Sequence, residues 1–154
     1  MNMQKARKAK DFFMQGYNCS QSVLAAWCEE VGLDMQTALK ISSGFGAGMG
    51  RMREVCGAVT GAFMVLSLKY GSTDPKNPKA KGETYELIQK FAKRFKEENN
   101  FDSIICREML GLNGASKPQP EARTTEYYKK RPCAELVALS SGLLGEFIET
   151  REDK

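Results

Sequence analysis

An all-α fold, a single-domain compact bundle of about five to seven helices around a central apolar helix at about 54–70, is predicted by three observations. Apolar residues recur at three-four spacing along most of the chain. The strict alternation of a half-buried strand is hard to find, and glycines or prolines punctuate the periodic segments. With 154 residues, 42% of them hydrophobic, the chain can bury one core, and neither an internal repeat nor a second domain is discernible over 1–154.

The elements follow in chain order. A first helix from Gln4 to Gln15 turns Ala6, Ala9 and Phe13 inward and stops at Gly16. Asn18 is an N-cap that places Cys19 at the first position of a helix reaching Val31, closed by Gly32. Asp34 caps a shorter helix, Met35 to Ser42, which leads into the glycine-dense run from Gly44 to Gly50. The central helix, from Glu54 to Tyr70, is apolar nearly all round, as suits a helix surrounded by others. Its Gly57 and Gly61 share one face, where another backbone can come close.

Ser72 to Lys81, with Pro75 and Pro78, reads as a linker within the domain. In Glu83 to Glu98 an apolar stripe of Tyr85, Ile88, Phe91, Ala92 and Phe95 predicts one buried helix face. Asp102 or Ser103 caps a short helix through Leu110, with Cys106 one turn inside it. Asn113 to Arg131, about twenty residues with Pro118 and Pro120, is too long for an ordinary connection and reads as either mobile or functional. Pro132 suits the first turn of a last helix, in which Cys133 precedes an apolar run to Ile148.

The chain contains no histidine, which removes Ser-His and Cys-His catalysis and every histidine-containing zinc site. A net charge of +4, from 23 basic and 19 acidic residues spread along the chain, argues against a nucleic-acid partner. The most apolar stretch, Ala58 to Leu68, falls short of the ~20 residues that cross a bilayer, so no direct membrane insertion is expected. The charged first residues lack the apolar run of a signal peptide. These readings predict a cytoplasmic protein with reduced thiols, in which five cysteines need a reason other than structural cross-linking.

Three of them open predicted helices: Cys19 after its cap, Cys56 after the glycine-rich loop, and Cys133 after Pro132. Unpaired amides and the helix dipole favour a thiolate at such positions, and Arg51, Arg53 and Arg131 lie nearby in sequence. A free cysteine can equally be a small buried core residue, and Cys28, mid-helix beside Trp27, is read that way. There is no CxxC pair, so any thiol partners must meet in space. Thiols converging from separate helices can exchange a disulfide or bind zinc or an iron–sulfur cluster. The run from Gly44 to Gly50 satisfies neither GxGxxG nor the P-loop pattern. It is a plain loop, or an anion-accepting nest beside a thiolate.

Gly16-Tyr-Asn-Cys19-Ser-Gln-Ser, then Gly-Phe-Gly-Ala-Gly-Met-Gly-Arg before Cys56-Gly-Ala-Val-Thr-Gly61, then Cys106 and Cys133, resemble the C_GCAxxG_C_C family over nearly the whole chain. The resemblance implies a redox-active single domain whose four characteristic cysteines are Cys19, Cys56, Cys106 and Cys133, with Cys28 outside the pattern. The CGAxxG form matches letter for letter, whereas Val55 stands where the family's label has glycine. A similar domain occurs beside haem-binding cytochrome sequences. This chain has no CxxCH for covalent haem attachment.

The leading expectation is therefore a redox-active thiol protein in which Cys19, Cys56, Cys106 and Cys133 undergo dithiol–disulfide exchange or electron transfer, with Cys56 as the attacking thiol and a redox protein as partner. One alternative uses the same four thiolates to hold zinc or an iron–sulfur cluster. The other is a non-catalytic helical interaction module with inert cysteines.

Overall fold

The fold begins with a capped helix: the Asn2 side chain accepts a hydrogen bond from the Lys5 amide at 3.0 Å, opening α1 (Met3–Met14). A computed structural model describes residues 1–152. In it α1 buries the expected Ala6, Ala9 and Phe13. Next come α2 (Cys19–Trp27), α3 (Met35–Ser42), a 3-10 turn (Ser43–Phe45) and a four-residue kinked segment, α4 (Gly46–Met49). Then α5 (Gly57–Tyr70), α6 (Pro78–Glu98), α7 (Cys106–Leu110), α8 (Thr125–Lys130) and α9 (Cys133–Glu152) complete the chain. No strand occurs among the described residues; one isolated antiparallel bridge joins Val55 to Ile105. The all-α prediction holds.

The central helix is α5, packed by α2, α9 and α6. It buries Ala58, Val59, Ala62, Val65 and Leu66 completely. Around it Leu24 of α2, Phe91 and Phe95 of α6, and Leu143 and Leu144 of α9 complete the core; each buried side chain of this size stabilises the fold by about 1.5–3 kcal/mol. Polar bonds set the height of α9 along its neighbours. Ser140 donates to the Ala58 carbonyl (2.6 Å), and the Trp27 indole donates to the Ser141 carbonyl and hydroxyl (both 3.1 Å). The first turn of α9 is thereby brought to the same end of the bundle as the first turns of α2 and α5.

The structure moves several boundaries. The central helix begins at Gly57 rather than Glu54, because Glu54, Val55 and Cys56 pair with Ile104, Ile105 and Cys106: the Cys56 amide donates to the Ile104 carbonyl (2.8 Å) and the Cys106 amide to that of Glu54 (2.6 Å). Helix α2 ends at Trp27, four residues before Val31, so Cys28 is its C-terminal cap and not a mid-helix residue. Asn77 caps α6 at Pro78, drawing part of the expected linker into the helix. The buried stripe of α6 is Leu87, Phe91 and Phe95; Tyr85 is 59% exposed. Cys106 opens α7 instead of lying one turn inside it. The connection from Asn113 to Arg131 contains α8 and is tied down, since Arg123 donates to the carbonyls of Phe13 (2.8 Å) and Tyr17 (3.0 Å).

The α2–α5 contact rests on Gly61. A Cβ there would lie 2.8 Å from the Ser20 carbonyl oxygen and 3.0 Å from the Val23 Cβ, so no side chain fits without parting the helices. Gly61→Ala should lower the urea midpoint, with a stability loss of about 1–3 kcal/mol and an unchanged denaturant slope. An unchanged midpoint would show that the two helices separate without cost.

Candidate functional site

Helix starts gather at one end of the bundle, and each brings a thiol. Asn18 and Gln21 form a reciprocal capping box around Cys19: the Gln21 amide donates to Asn18 Oδ1 (2.9 Å) and the Asn18 amide to Gln21 Oε1 (3.1 Å). Both side chains also reach the neighbouring segment, Asn18 Nδ2 to the Ser43 carbonyl (3.0 Å) and Gln21 Nε2 to that of Leu39 (3.1 Å). The start of α2 is thus fixed against α3 and the 3-10 turn. Cys56 is the N-cap of α5, Cys106 opens α7 directly across the short pairing, and Cys133 opens α9. The sequence placed three cysteines at helix starts; the structure places four.

All four line one cavity of about 310 Å³. Phe13, Met109, Leu110, Leu136 and Tyr127 supply apolar wall, Pro118 and Pro120 a further strap along it, and Arg51, Arg53, Arg123 and Glu121 the charge. Cys28 does not line it. That residue is buried at the far end of α2, nine residues and so about 13 Å of helix from Cys19. The five thiols are free, and among the described residues no three of the cysteines and carboxylates converge as a metal-ligand set.

One wall of the cavity is a stretch of left-handed backbone that the sequence reading took for a plain loop or nest. Five consecutive residues, Ala47 to Arg51, have positive φ, as does Arg53, and the Gly50 amide closes a turn onto the Gly46 carbonyl at 3.0 Å. For each residue with a side chain this conformation costs about 1–2 kcal/mol. Glycine at positions 48 and 50 removes that cost from two of the six. Gly48 is required twice over, because a Cβ would also lie 2.6 Å from both the Arg53 Cα and the Cys106 Cβ. The turn brings Arg51 and Arg53 to the cavity, where Arg53, 5% exposed, donates to Ser116 Oγ (3.0 Å) and faces the Cys106 sulfur (3.6 Å).

The thiols do not share one acidity. Cys19 and Cys133 hydrogen-bond to each other, and this bond is the largest influence on both. It holds Cys133 below the ordinary thiol range against the opposing effect of burial, with Arg131, Arg53 and Arg123 acting in the same direction. Cys19 is the donor and is held well above that range by the same bond and by burial. Burial pushes Cys56 up to about 12 even though the Ala58 and Val59 amides favour its thiolate. Burial likewise raises Cys106, against Arg53. The expectation that helix starts lower thiol pKa fails at Cys19 and Cys56, and Cys133 is lowered by its thiol neighbour and the arginines and not by its helix start. Cys56, expected to attack, is pushed away from the thiolate by burial, as are Cys19 and Cys106, and Cys133 is the one thiol of the set whose acidity is enhanced.

These shifts set the alkaline limit of the fold. A thiol with a raised folded pKa contributes stability in full below its unfolded value and loses it as pH rises through the folded value; for Cys56 that window is 9.0 to about 12. Cys133 has the opposite sign, contributing above its unfolded value and losing the contribution as pH falls through its lowered one. Four raised thiols, Cys28 among them, against one lowered predict a urea midpoint that falls between about pH 8 and about pH 11, less steeply in Cys56→Ala. Parallel curves would remove Cys56 as the responsible group. Separately, Cys19→Ala should move the first thiolate titration, read by ultraviolet absorbance, to higher pH; no movement would show that Cys19 does not stabilise the Cys133 thiolate.

No helix among the described residues is long and apolar enough to cross a membrane. No curated protein and no solved structure matches the chain. A family model does, across residues 17–147, with the description "Putative redox-active protein (C_GCAxxG_C_C)". The match spans the four cysteines of the cavity together with the capped start of α2, the left-handed turn and the glycine face of α5. The chain belongs to the C_GCAxxG_C_C family.

Proposed function

We propose that the chain is a thiol–disulfide redox protein in which Cys133 attacks and Cys19 resolves. The observation that carries this reading is that Cys19 and Cys133 meet in the wall of a single cavity, each the largest influence on the other's acidity, with Cys133 lowered and Cys19 raised. The Cys133 thiolate attacks one sulfur of an external disulfide, forming a mixed disulfide and releasing the other half as a thiolate. Cys19 then loses its proton and attacks the Cys133 sulfur. The second half leaves with a proton, and a Cys19–Cys133 disulfide remains. Two electrons pass from the protein to the external disulfide, and an external dithiol returns them.

Arg131, Arg53 and Arg123 favour the attacking thiolate in this scheme, and the two high-pKa thiols, Cys56 and Cys106, serve as protonated neighbours that do not compete for the electrophile. The dithiol reading is preferred to the four-thiolate reading with zinc or an iron–sulfur cluster because, among the described residues, no three ligand groups converge.

Cys133→Ser should abolish formation of the intramolecular disulfide, seen by mass spectrometry as the loss of two hydrogens. Cys19→Ser should instead stop at the mixed disulfide and accumulate that adduct on Cys133. Cys56→Ser should still form the disulfide. Loss of the reaction in Cys56→Ser with retention in Cys133→Ser would reverse the assignment.

A further inference from the structure

The cavity is unequal in charge. Arg51, Arg53 and Arg123 line it with Glu121 as the one carboxylate among them. Glu121 is itself shared: its Oε1 lies 2.8 Å from Arg131 and 4.0 Å from the buried Arg53. Neither Arg51 nor Arg123 makes an ion pair among the described residues, their recorded partners being carbonyls, a tyrosine hydroxyl and aromatic rings. Glu121 alone cannot neutralise this excess. Uncompensated guanidinium charge in a partly desolvated site is costly, and a bound anion removes that cost.

The thiols also limit the size of what can react. Cys19, Cys56, Cys106 and Cys133 are each buried, and the segment bearing Pro118 and Pro120 lines the same cavity. That segment is pinned from several sides: Arg51 Nε donates to the Lys117 carbonyl (2.5 Å), the Ser116 amide to the Arg51 carbonyl (2.8 Å), and Arg123 to the α1 end. Buried thiols in a cavity of about 310 Å³ favour a small molecule over the disulfide of a folded protein. The apolar walls at Phe13, Met109 and Leu136 suit an organic body rather than a bare inorganic ion.

Resting on the dithiol reading above, we infer that the oxidising substrate is a small organic disulfide carrying carboxylates, held by the cavity's arginines with its sulfurs against Cys133 and Cys19. Electrons and atoms balance as before: the two protein thiols become one disulfide, and the dianionic substrate leaves as two carboxylate thiols. Arg51 is the specificity-determining residue, because it lines the cavity, makes no ion pair, and stands on the turn that the glycine alternation builds.

The test compares three disulfides of similar size and different charge: dithiodiglycolate (dianionic), 2-hydroxyethyl disulfide (neutral) and cystamine (dicationic). Rates of disulfide formation in the intact chain are divided by the rate of the same reagent with a free small thiol, at low ionic strength. The wild-type ratio of dianion to dication should exceed about tenfold and shrink in about 1 M salt. Arg51→Gln should reduce the ratio by about threefold or more, Arg51→Lys should retain most of it, and Glu121→Gln should increase it. An increase in one variant and a decrease in the other cannot both come from impaired folding. A wild-type ratio near one, or a ratio that neither Arg51→Gln nor Glu121→Gln moves, would overturn the inference while leaving the dithiol reading standing. Oxidation by none of the three reagents would overturn both.

Discussion

The approach of α2 to α5 is the contact on which the remaining geometry depends. Two helices with ordinary side chains between them stand 8–10 Å apart. Here Gly57 and Gly61 leave their face of α5 bare, and the Cys19 Cβ and the Ser20 backbone occupy the space that a side chain would take. Once α2 is seated this closely, the thiol at its first position and the thiol that caps α5 face the same small volume. The capping box around Cys19, the pairing of residues 54–56 with 104–106, and the Ser140 bond to Ala58 then carry the other helix starts to that volume. The CGAxxG motif is thus explained mechanically: its glycines admit one helix start, and its cysteine is another.

Within the cavity the decisive competition is between desolvation and specific partners. A helix start favours negative charge by a few tenths to about 1 kcal/mol at an exposed site, whereas burying a thiolate without a partner costs more. Four cysteines occupy nearly equivalent backbone positions, yet only the one that receives a hydrogen bond from a neighbouring thiol and lies in the field of three arginines is lowered. The arrangement separates nucleophile from bystanders by environment alone, using one residue type. Tyr127 follows the same rule, its hydroxyl pushed up to about 12 by burial and by the adjacent Cys133 charge.

Sequence carried the fold class, the main helices, the helix-start positions of Cys19, Cys56 and Cys133 and the separateness of Cys28, because periodicity, caps and glycine stops are local signals. Cys106 joined them only through the family resemblance. The displaced boundaries have tertiary causes. Glu54 to Cys56 would continue a helix on propensity, but pairing with residues 104–106 holds them extended. The strap lacks regular periodicity and reads as either mobile or functional until Arg123 is seen bonded to carbonyls more than a hundred residues earlier in the chain. The left-handed turn did leave a signal: glycine at every second position from Gly44 to Gly50. That spacing fits neither strand nor right-handed helix, and it marks backbone where Gly46 and Gly48 leave no room for a Cβ and Gly48 and Gly50 turn left-handed. Relative thiol acidity had no sequence signature, since it depends on which sulfur meets which.

Cys19 and Cys133 lie near opposite ends of the sequence yet touch in the fold. A bond between them would enclose most of the chain, including the central helix and the strap, in one covalent ring. In the chain-entropy picture, a cross-link spanning ~100 residues removes about 4.7 kcal/mol worth of freedom from the unfolded ensemble. Oxidation state and resistance to unfolding would then change together. The reduced chain would be the more readily opened and degraded form, and the oxidised chain the persistent one, so that cellular lifetime would itself record the last electron transfer.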